Sequence, residues 1–243
     1  QADTSAEWGT RSAECVRLTV TSIAGWLQAR GIDAWFRPDG SMAVASSAAQ
    51  LSILDAQYTQ ADRVGVRDRI TPLSESQVRE RCDSPVFRGG YLIHDGGTLH
   101  PARLARALRQ ACLEAGVRIY ENTEVHTPRP DGQTVVETSA GTVRAGSVVL
   151  GANAWMATWP MFKRRLVVRG TFIAATAPAP ELLAELNWTT GMGICDVRSS
   201  LRYLRTTPDA RILMGVGGQR GSFNGSVGTS FDFDEVGRQN AVK

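Results

Sequence analysis

Few residues in this sequence have the type and spacing to do chemistry on their own. Tyr203 lies in a strand-like stretch between Arg202 and Arg205. A tyrosine where a sheet borders a pocket offers a small molecule one hydrogen bond and a flat wall, and the same residue equally serves as half-buried packing. His94, Asp95 and His100 are metal-ligand types, but their spacing matches no zinc pattern and His126 is remote, so no metal site is expected. No Gly-x-Ser-x-Gly elbow occurs, and Cys15, Cys82, Cys112 and Cys195 lie far apart without a Cys-x-x-Cys. The carboxylates Asp232, Asp234 and Glu235 fall in a polar tail and read as solvated. Gly215-x-Gly217-Gly218-x-x-Gly221 lacks dinucleotide-fingerprint spacing, and no helical stripe follows it to aim an N-terminus at a pyrophosphate. It reads as a strand-end loop, and Gly191-Met192-Gly193 fails for the same reason.

Composition narrows the classes further. The 243 residues are 42% hydrophobic and 21% charged with a net charge of +3, which suits a globular chain and not a disordered one. No apolar run approaches the length of a membrane span, so no membrane partner is expected. Only Lys163 and Lys243 are lysines among 27 basic residues, and the arginines are scattered without aromatic interleaving, which does not describe a nucleic-acid surface. Cys82 and Cys112 sit on helical patterns at positions that suit buried thiols, and reduced core cysteines imply a cytoplasmic protein.

The elements that must position any site are legible in part. Ala13, Val16, Val20, Ile23 and Leu27 recur at helical spacing with Gly31 placed to cap. Ala34–Arg37 and Met42–Ala45 flank Pro38-Asp39-Gly40 and predict a hairpin. Ser46 or Ser47 caps a second helix with Leu51, Leu54, Tyr58 and Ala61 facing inward, and Ser74-x-x-Gln77 is a capping box before Val78 and Cys82. Pro101 opens a helix whose apolar face is Leu104, Leu108, Ala111, Cys112 and Ala115, ended by Gly116. Val117–Tyr120 predicts a short strand, Thr134–Thr138 with Thr142–Arg144 a hairpin, and Ser147–Leu150 a strand buried on both faces, as in a parallel sheet. Further strands are expected over Leu166–Thr176, Leu201–Arg205 and Arg211–Val216, with a short helix at Glu181–Leu186. The mixture is α+β with an α/β portion.

An ordered set of segments goes further than any single motif. Gly96-Gly97-Thr98-Leu99-His100-Pro101-Ala102-Arg103-Leu104 is followed by Ala115-Gly116-Val117-Arg118-Ile119-Tyr120-Glu121-Asn122-Thr123-Glu124-Val125. Then come Val148-Val149-Leu150-Gly151-Ala152-Asn153-Ala154-Trp155 and Tyr203-Leu204-Arg205-Thr206-Thr207-Pro208-Asp209-Ala210-Arg211-Ile212-Leu213-Met214-Gly215. This series resembles the D-amino-acid-oxidase-like superfamily of FAD-dependent oxidoreductases over about Ala13 to Gly218. Within it the amine-oxidising branch is most similar, the one that includes γ-glutamylputrescine oxidoreductase, sarcosine oxidase and glycine oxidase. Asn153, where many relatives carry glycine, tilts the resemblance toward the putrescine-pathway type.

The resemblance implies FAD as cofactor and a small amine or amino acid as substrate. The implied reaction is hydride transfer from the carbon beside the amine, followed by imine hydrolysis and reoxidation by O₂ to hydrogen peroxide. It places the Val125 backbone against the adenine and Gly151, Ala152, Asn153, Ala154 and Trp155 along the ADP half, with Tyr203 facing the substrate pocket. It further implies a partial FAD-binding Rossmann-like domain (1–34 and 93–160) interleaved with a mostly antiparallel substrate-binding sheet domain (35–92 and 161–243). The family's opening strand–Gly-x-Gly-x-x-Gly–helix and its closing glycine-rich unit are missing from this sequence. It is therefore expected to be an internal fragment, inactive alone, whose partners are the remaining parts of the same flavoenzyme. A non-catalytic binding domain that shares the substrate-domain architecture is the alternative.

Overall fold

The computed structural model describes residues 4–126, 129–131, 133–198 and 201–221, together with Glu235 and Gln239. The chain divides into two compact units, one of Gln1–Leu108, Phe172–Gly217 and Arg238–Lys243, the other of Arg109–Thr171 and Gly218–Gly237.

The first unit is built on a seven-stranded mixed sheet. Its strands are β1 (Ser41–Ala45), β2 (Ile70–Leu73), β3 (Gly89–Ile93), β7 (Arg169–Ala175), β8 (Gly193–Asp196), β9 (Arg202–Thr206) and β10 (Ile212–Gly221), ordered β2-β3-β1-β8-β9-β10-β7. β1 runs parallel to β8 and antiparallel to β3. It is the central strand, and Met42, Val44 and Ala45 are almost wholly buried. One face packs Met42, Val44 and Ile194 against Val78 of α3 (Glu75–Arg79), Leu183 of α5 (Pro180–Glu185) and Trp188. The other packs Ala43 and Ala45 against Leu51 and Leu54 of α2 (Ala48–Arg63).

Local signals in the sequence account for the helix ends. Ser47 accepts the Gln50 N–H at 3.3 Å, and Ser74 with Gln77 makes both bonds of a capping box. α1 (Thr4–Ala29) ends where predicted, with Gly31 at φ +60°, but of its apolar stripe only Leu27 is buried. Polar contacts hold α1 instead: Arg69 donates to Glu14 at 2.9 Å, Arg17 bonds the same carboxylate, and Thr10 donates to the Val64 carbonyl at 2.6 Å. The Arg17 and Arg69 guanidinium groups hold the Glu14 carboxyl down at about 2.

Cys82 is buried as expected, at 3% exposure. Burial, with Asp83 second, pushes its thiol from 9.0 up to about 11. A thiol whose folded pKa is raised stabilises the fold fully below the unfolded value, and that contribution is lost as pH climbs through the folded one. The decline is worth about 2 kcal/mol. Urea midpoints measured between about pH 8 and pH 11 should fall in the wild type and stay flatter in Cys82→Ala; parallel declines would remove Cys82 as the cause.

The hairpin expected at Ala34–Ala45 does not form. β1 pairs with distant strands, and Arg37 instead bridges Thr98, with both N–H···O bonds at 2.8–2.9 Å. Trp35 has φ +54° and Gly40 φ +76°, so the chain turns away before β1 begins. Pro38 has no N–H for a ladder, and the Asp39 carboxylate accepts the Gly191 N–H at 2.6 Å. A central strand, buried on both faces, takes its neighbours from wherever the sheet supplies them.

The second unit contains the three-stranded sheet β4-β5-β6, of Arg129–Asp131, Gln133–Thr138 and Gly141–Ala145. The β5–β6 hairpin has the predicted register, Thr138 opposite Gly141. Val125 adds one bridge to Thr138. Two predicted strands are absent: Val117–Tyr120 and Ser147–Leu150 join no ladder among the described residues. Val149 is 94% exposed, against the expectation of a strand covered on both faces. An apolar run becomes such a strand only where neighbours offer hydrogen bonds on each side, and no described strand does so here. Cys112 is exposed too, because α4 (Pro101–Glu114) buries none of its residues.

Candidate functional site

The substrate-side geometry follows from one turn. Between β9 and β10 the Thr207 hydroxyl donates to Asp209 at 2.6 Å, Arg211 Nε donates to the same carboxylate at 2.8 Å, and Thr207 Oγ1 accepts the Arg211 N–H at 3.0 Å. That network closes the predicted Pro208-Asp209 turn and fixes the register, setting Tyr203 opposite Gly215 and Arg205 opposite Leu213. Across the other edge of β9, Tyr203 faces Cys195 of β8, and Cys195 faces Ala43 of β1. Paired residues share a face, so Cys195, Tyr203 and Gly215 form one row and Ser41, Gly193, Arg205 and Leu213 lie on that same face.

These residues line a cavity of about 260 Å³, with Thr98 and Ile173 completing its wall. It belongs wholly to the first unit. Its floor is low because two positions carry no side chain. A Cβ at Gly215 would lie 2.0 Å from Tyr203 Cζ and 2.4 Å from its hydroxyl oxygen, so the phenol ring rests directly on the glycine. Thr98 turns its hydroxyl to the Gly191 carbonyl at 2.8 Å and leaves its methyl 3.4 Å from where a Gly193 Cβ would stand. Arg205 Nη1 donates to the Leu99 carbonyl at 2.9 Å. Burial pushes the Arg205 guanidinium below the usual arginine value, and burial, with Asp196 second, pushes the Cys195 thiol up. The thiol is thereby held neutral and poorly nucleophilic.

Tyr203 thus lies in a cavity, on a face that the sequence alone left open. Arg205, Cys195, Gly193 and Gly215 were not singled out as site residues. The signal for Arg205 was present: two residues along a strand from Tyr203 means the same face. Finding Cys195 and the glycines required the long-range register.

The expected cofactor residues all lie in the second unit. The Val125 bridge is of the open type: His126 N–H bonds the Glu137 carbonyl and Ser139 N–H bonds the Glu124 carbonyl. The N–H and C=O of Val125 itself therefore point away from β5, and neither has a partner among the described residues. Gly151–Trp155 runs into a single 3₁₀ turn (Asn153–Thr158), with Asn153 at φ +47° and Trp155 66% exposed. A Cβ at Gly151 would meet nothing within 4 Å. For a dinucleotide cofactor, the fit is partial. A strand edge with a free donor–acceptor pair suits a purine edge, and small residues at 151, 152 and 154 admit close approach. No glycine-rich loop opening a helix, the cradle a pyrophosphate needs, occurs among the described residues. β10 carries the Gly215–Gly221 glycines inside a strand.

Metal-ligand types lie in separate settings: His94 Nε2 is 2.8 Å from Thr71 Oγ1, and His100 stacks edge-on against Trp35. Asp232 and Asp234 lie outside the described residues.

Known proteins share this architecture. The glycine oxidase structure from Bacillus cereus ATCC 14579 superposes with a TM-score of 0.71 at 20% identity, covering 94% of this chain and 62% of that one. At that identity the likeness is one of fold. In sequence, γ-glutamylputrescine oxidoreductase of Escherichia coli (strain K12) is 31% identical over 188 residues, 76% of this chain and 44% of that protein. The probable oxidoreductase OrdL of Haemophilus influenzae is 29% identical over 147 residues, 58% of this chain and 34% of that protein. The chain thus spans less than half the length of these two relatives. The FAD dependent oxidoreductase (DAO) family matches residues 3–240, nearly every residue that builds the sheet, the cavity and the Val125 edge. On that match the chain belongs to the DAO family of FAD-dependent oxidoreductases.

Proposed function

We propose that this chain is an internal part of a longer flavoenzyme that oxidises the C–N bond of a small amine or amino acid, with the Tyr203 cavity as its substrate side. The observation that carries this reading is the phenol ring seated over Gly215 in a cavity of small-substrate size, within a chain of an FAD-dependent family. FAD, when bound, supplies the two-electron acceptor for such a reaction. The chain's own residues bind and orient. Tyr203 gives a flat wall and a hydroxyl that has no partner among the described residues. Ile173, Leu213 and the two floor glycines keep water out. No carboxylate lines the cavity, so nothing there stabilises an ammonium, and the amine is favoured in the neutral form that can release hydride.

For the cofactor, the free N–H and C=O of Val125 would take the adenine edge. Gly151, Ala152, Asn153, Ala154 and Trp155 would follow the ADP half, the small residues allowing backbone approach and Asn153 supplying hydrogen bonds. The pyrophosphate cradle would come from further polypeptide of the same enzyme, and the exposed Val149 run would be covered by it. The assignment of 1–34 and 93–160 to the FAD-binding part and of 35–92 and 161–243 to the substrate part rests on the family resemblance. Four unpaired cysteines support a cytoplasmic setting, and among the described residues no helix is long and apolar enough to cross a membrane.

The test is spectroscopic. Purified with its flanking polypeptide, the protein should carry a flavin absorbance spectrum, whereas the 243-residue chain alone should not retain equimolar flavin. A colourless longer protein that takes up no added FAD would falsify the reading. In the longer protein Tyr203→Phe should weaken amine-dependent peroxide release and spare the flavin spectrum. Unchanged kinetics would take Tyr203 out of the site.

A further inference from the structure

The cavity holds a cation without a counter-charge. Of its lining residues Arg205 is the one that is charged, and no Asp or Glu faces it. The contrast with Arg69 is instructive, since that half-buried arginine is met by Glu14 at 2.9 Å and Asp95 at 3.6 Å. Arg205 has one bond, from Nη1 to the Leu99 carbonyl, and its other guanidinium N–H groups have no partner among the described residues. Asp196 cannot serve, because it lies on the opposite face of β8 and is held by Arg198 at 2.8 Å.

We propose that Arg205 receives a carboxylate of the substrate, so that this cavity takes an amine that also carries an acid group and turns away simple alkylamines and polyamines. The inference rests on reading the cavity as the substrate side, and it narrows the substrate class. A guanidinium stays charged in proteins and presents parallel N–H groups that match a carboxylate, and partial burial among Ile173, Leu213 and Tyr203 strengthens such a pair relative to water. The tether to the Leu99 carbonyl fixes the guanidinium before any ligand arrives, which lowers the ordering penalty. A second ammonium placed in this cavity would meet Arg205 with nothing to offset the repulsion. The Tyr203 hydroxyl, on the same face two residues away, is the neutral group left to hold the amine end.

The experiment needs no flavin. Saturation-transfer NMR on the 243-residue chain is run with butyrate and with butylamine, probes of equal length and opposite charge. Butyrate should bind and butylamine should not. Arg205→Gln should weaken butyrate by roughly tenfold or more, the range for a lost charge-assisted bond, and Arg205→Lys should restore part of the affinity. Equal binding of the two probes, binding of neither, or an Arg205→Gln chain that holds butyrate as well as wild type overturns the proposal. Should Arg205→Gln not fold, the preference of the wild-type chain between the two probes decides by itself. Failure here leaves the flavin titration of the longer protein untouched, and a colourless longer protein that still prefers butyrate would remove only the flavoenzyme reading.

Discussion

An alanine at position 90 is expected to destabilise the first unit by about 3 kcal/mol or more, one of the largest effects a single methyl can have on this protein. Gly90 pairs with Val44 of the central strand, and a Cβ there would stand 2.3 Å from the Ala43 carbonyl oxygen and 3.4 Å from the Val44 Cα. The obstacle is backbone, so no rotamer change can clear it. β1 cannot yield either, because β8 bonds its other edge and both of its faces are buried. Relief would require breaking the β1–β3 ladder and uncovering Met42 and Val44. Urea unfolding of Gly90→Ala measures the loss as a drop in midpoint at constant slope. A midpoint equal to wild type would mean that β1 and β3 do not pair in this register.

The second large effect concerns the cavity. Gly215→Val should reduce turnover of the flavin-loaded longer protein by roughly 100-fold, the scale on which displacement of a positioning group by about 1 Å acts. The obstacle at Gly215 is a side chain, the Tyr203 ring, and a ring can swing aside. The fold should therefore survive at a penalty of about 1–3 kcal/mol while the phenol leaves its place. Compensation separates this cause from general damage. Adding Tyr203→Ala to Gly215→Val should recover thermal stability without recovering turnover. If the single variant keeps full activity, the ring is not what shapes the substrate side.

The two glycines also mark how far the sequence could be read. Caps and turns were legible because their chemistry is local. Ser47 and Ser74 satisfy N–H groups within three residues, and Thr207, Asp209 and Arg211 close their turn among themselves. The β5–β6 and β9–β10 hairpins followed, since a tight turn sets the register of both strands. The family too was legible, through the order of segments from Gly96 to Gly215.

Distance along the chain is what defeated the rest. β1 reads as half of a hairpin with Ala34–Arg37, yet its partners are β3 and β8, the latter about 150 residues away. Ser147–Leu150 is apolar enough for a covered strand, but a strand needs hydrogen-bonding neighbours, and a run of valines does not say whether they are present. The same holds for the site. By itself the sequence determined that Tyr203 and Arg205 share one face of a strand, because side chains alternate with a period of two. Only the tertiary structure decided that Cys195, Gly193 and Gly215 complete that face, since pairing between strands is a property of the assembled sheet and no single segment encodes it.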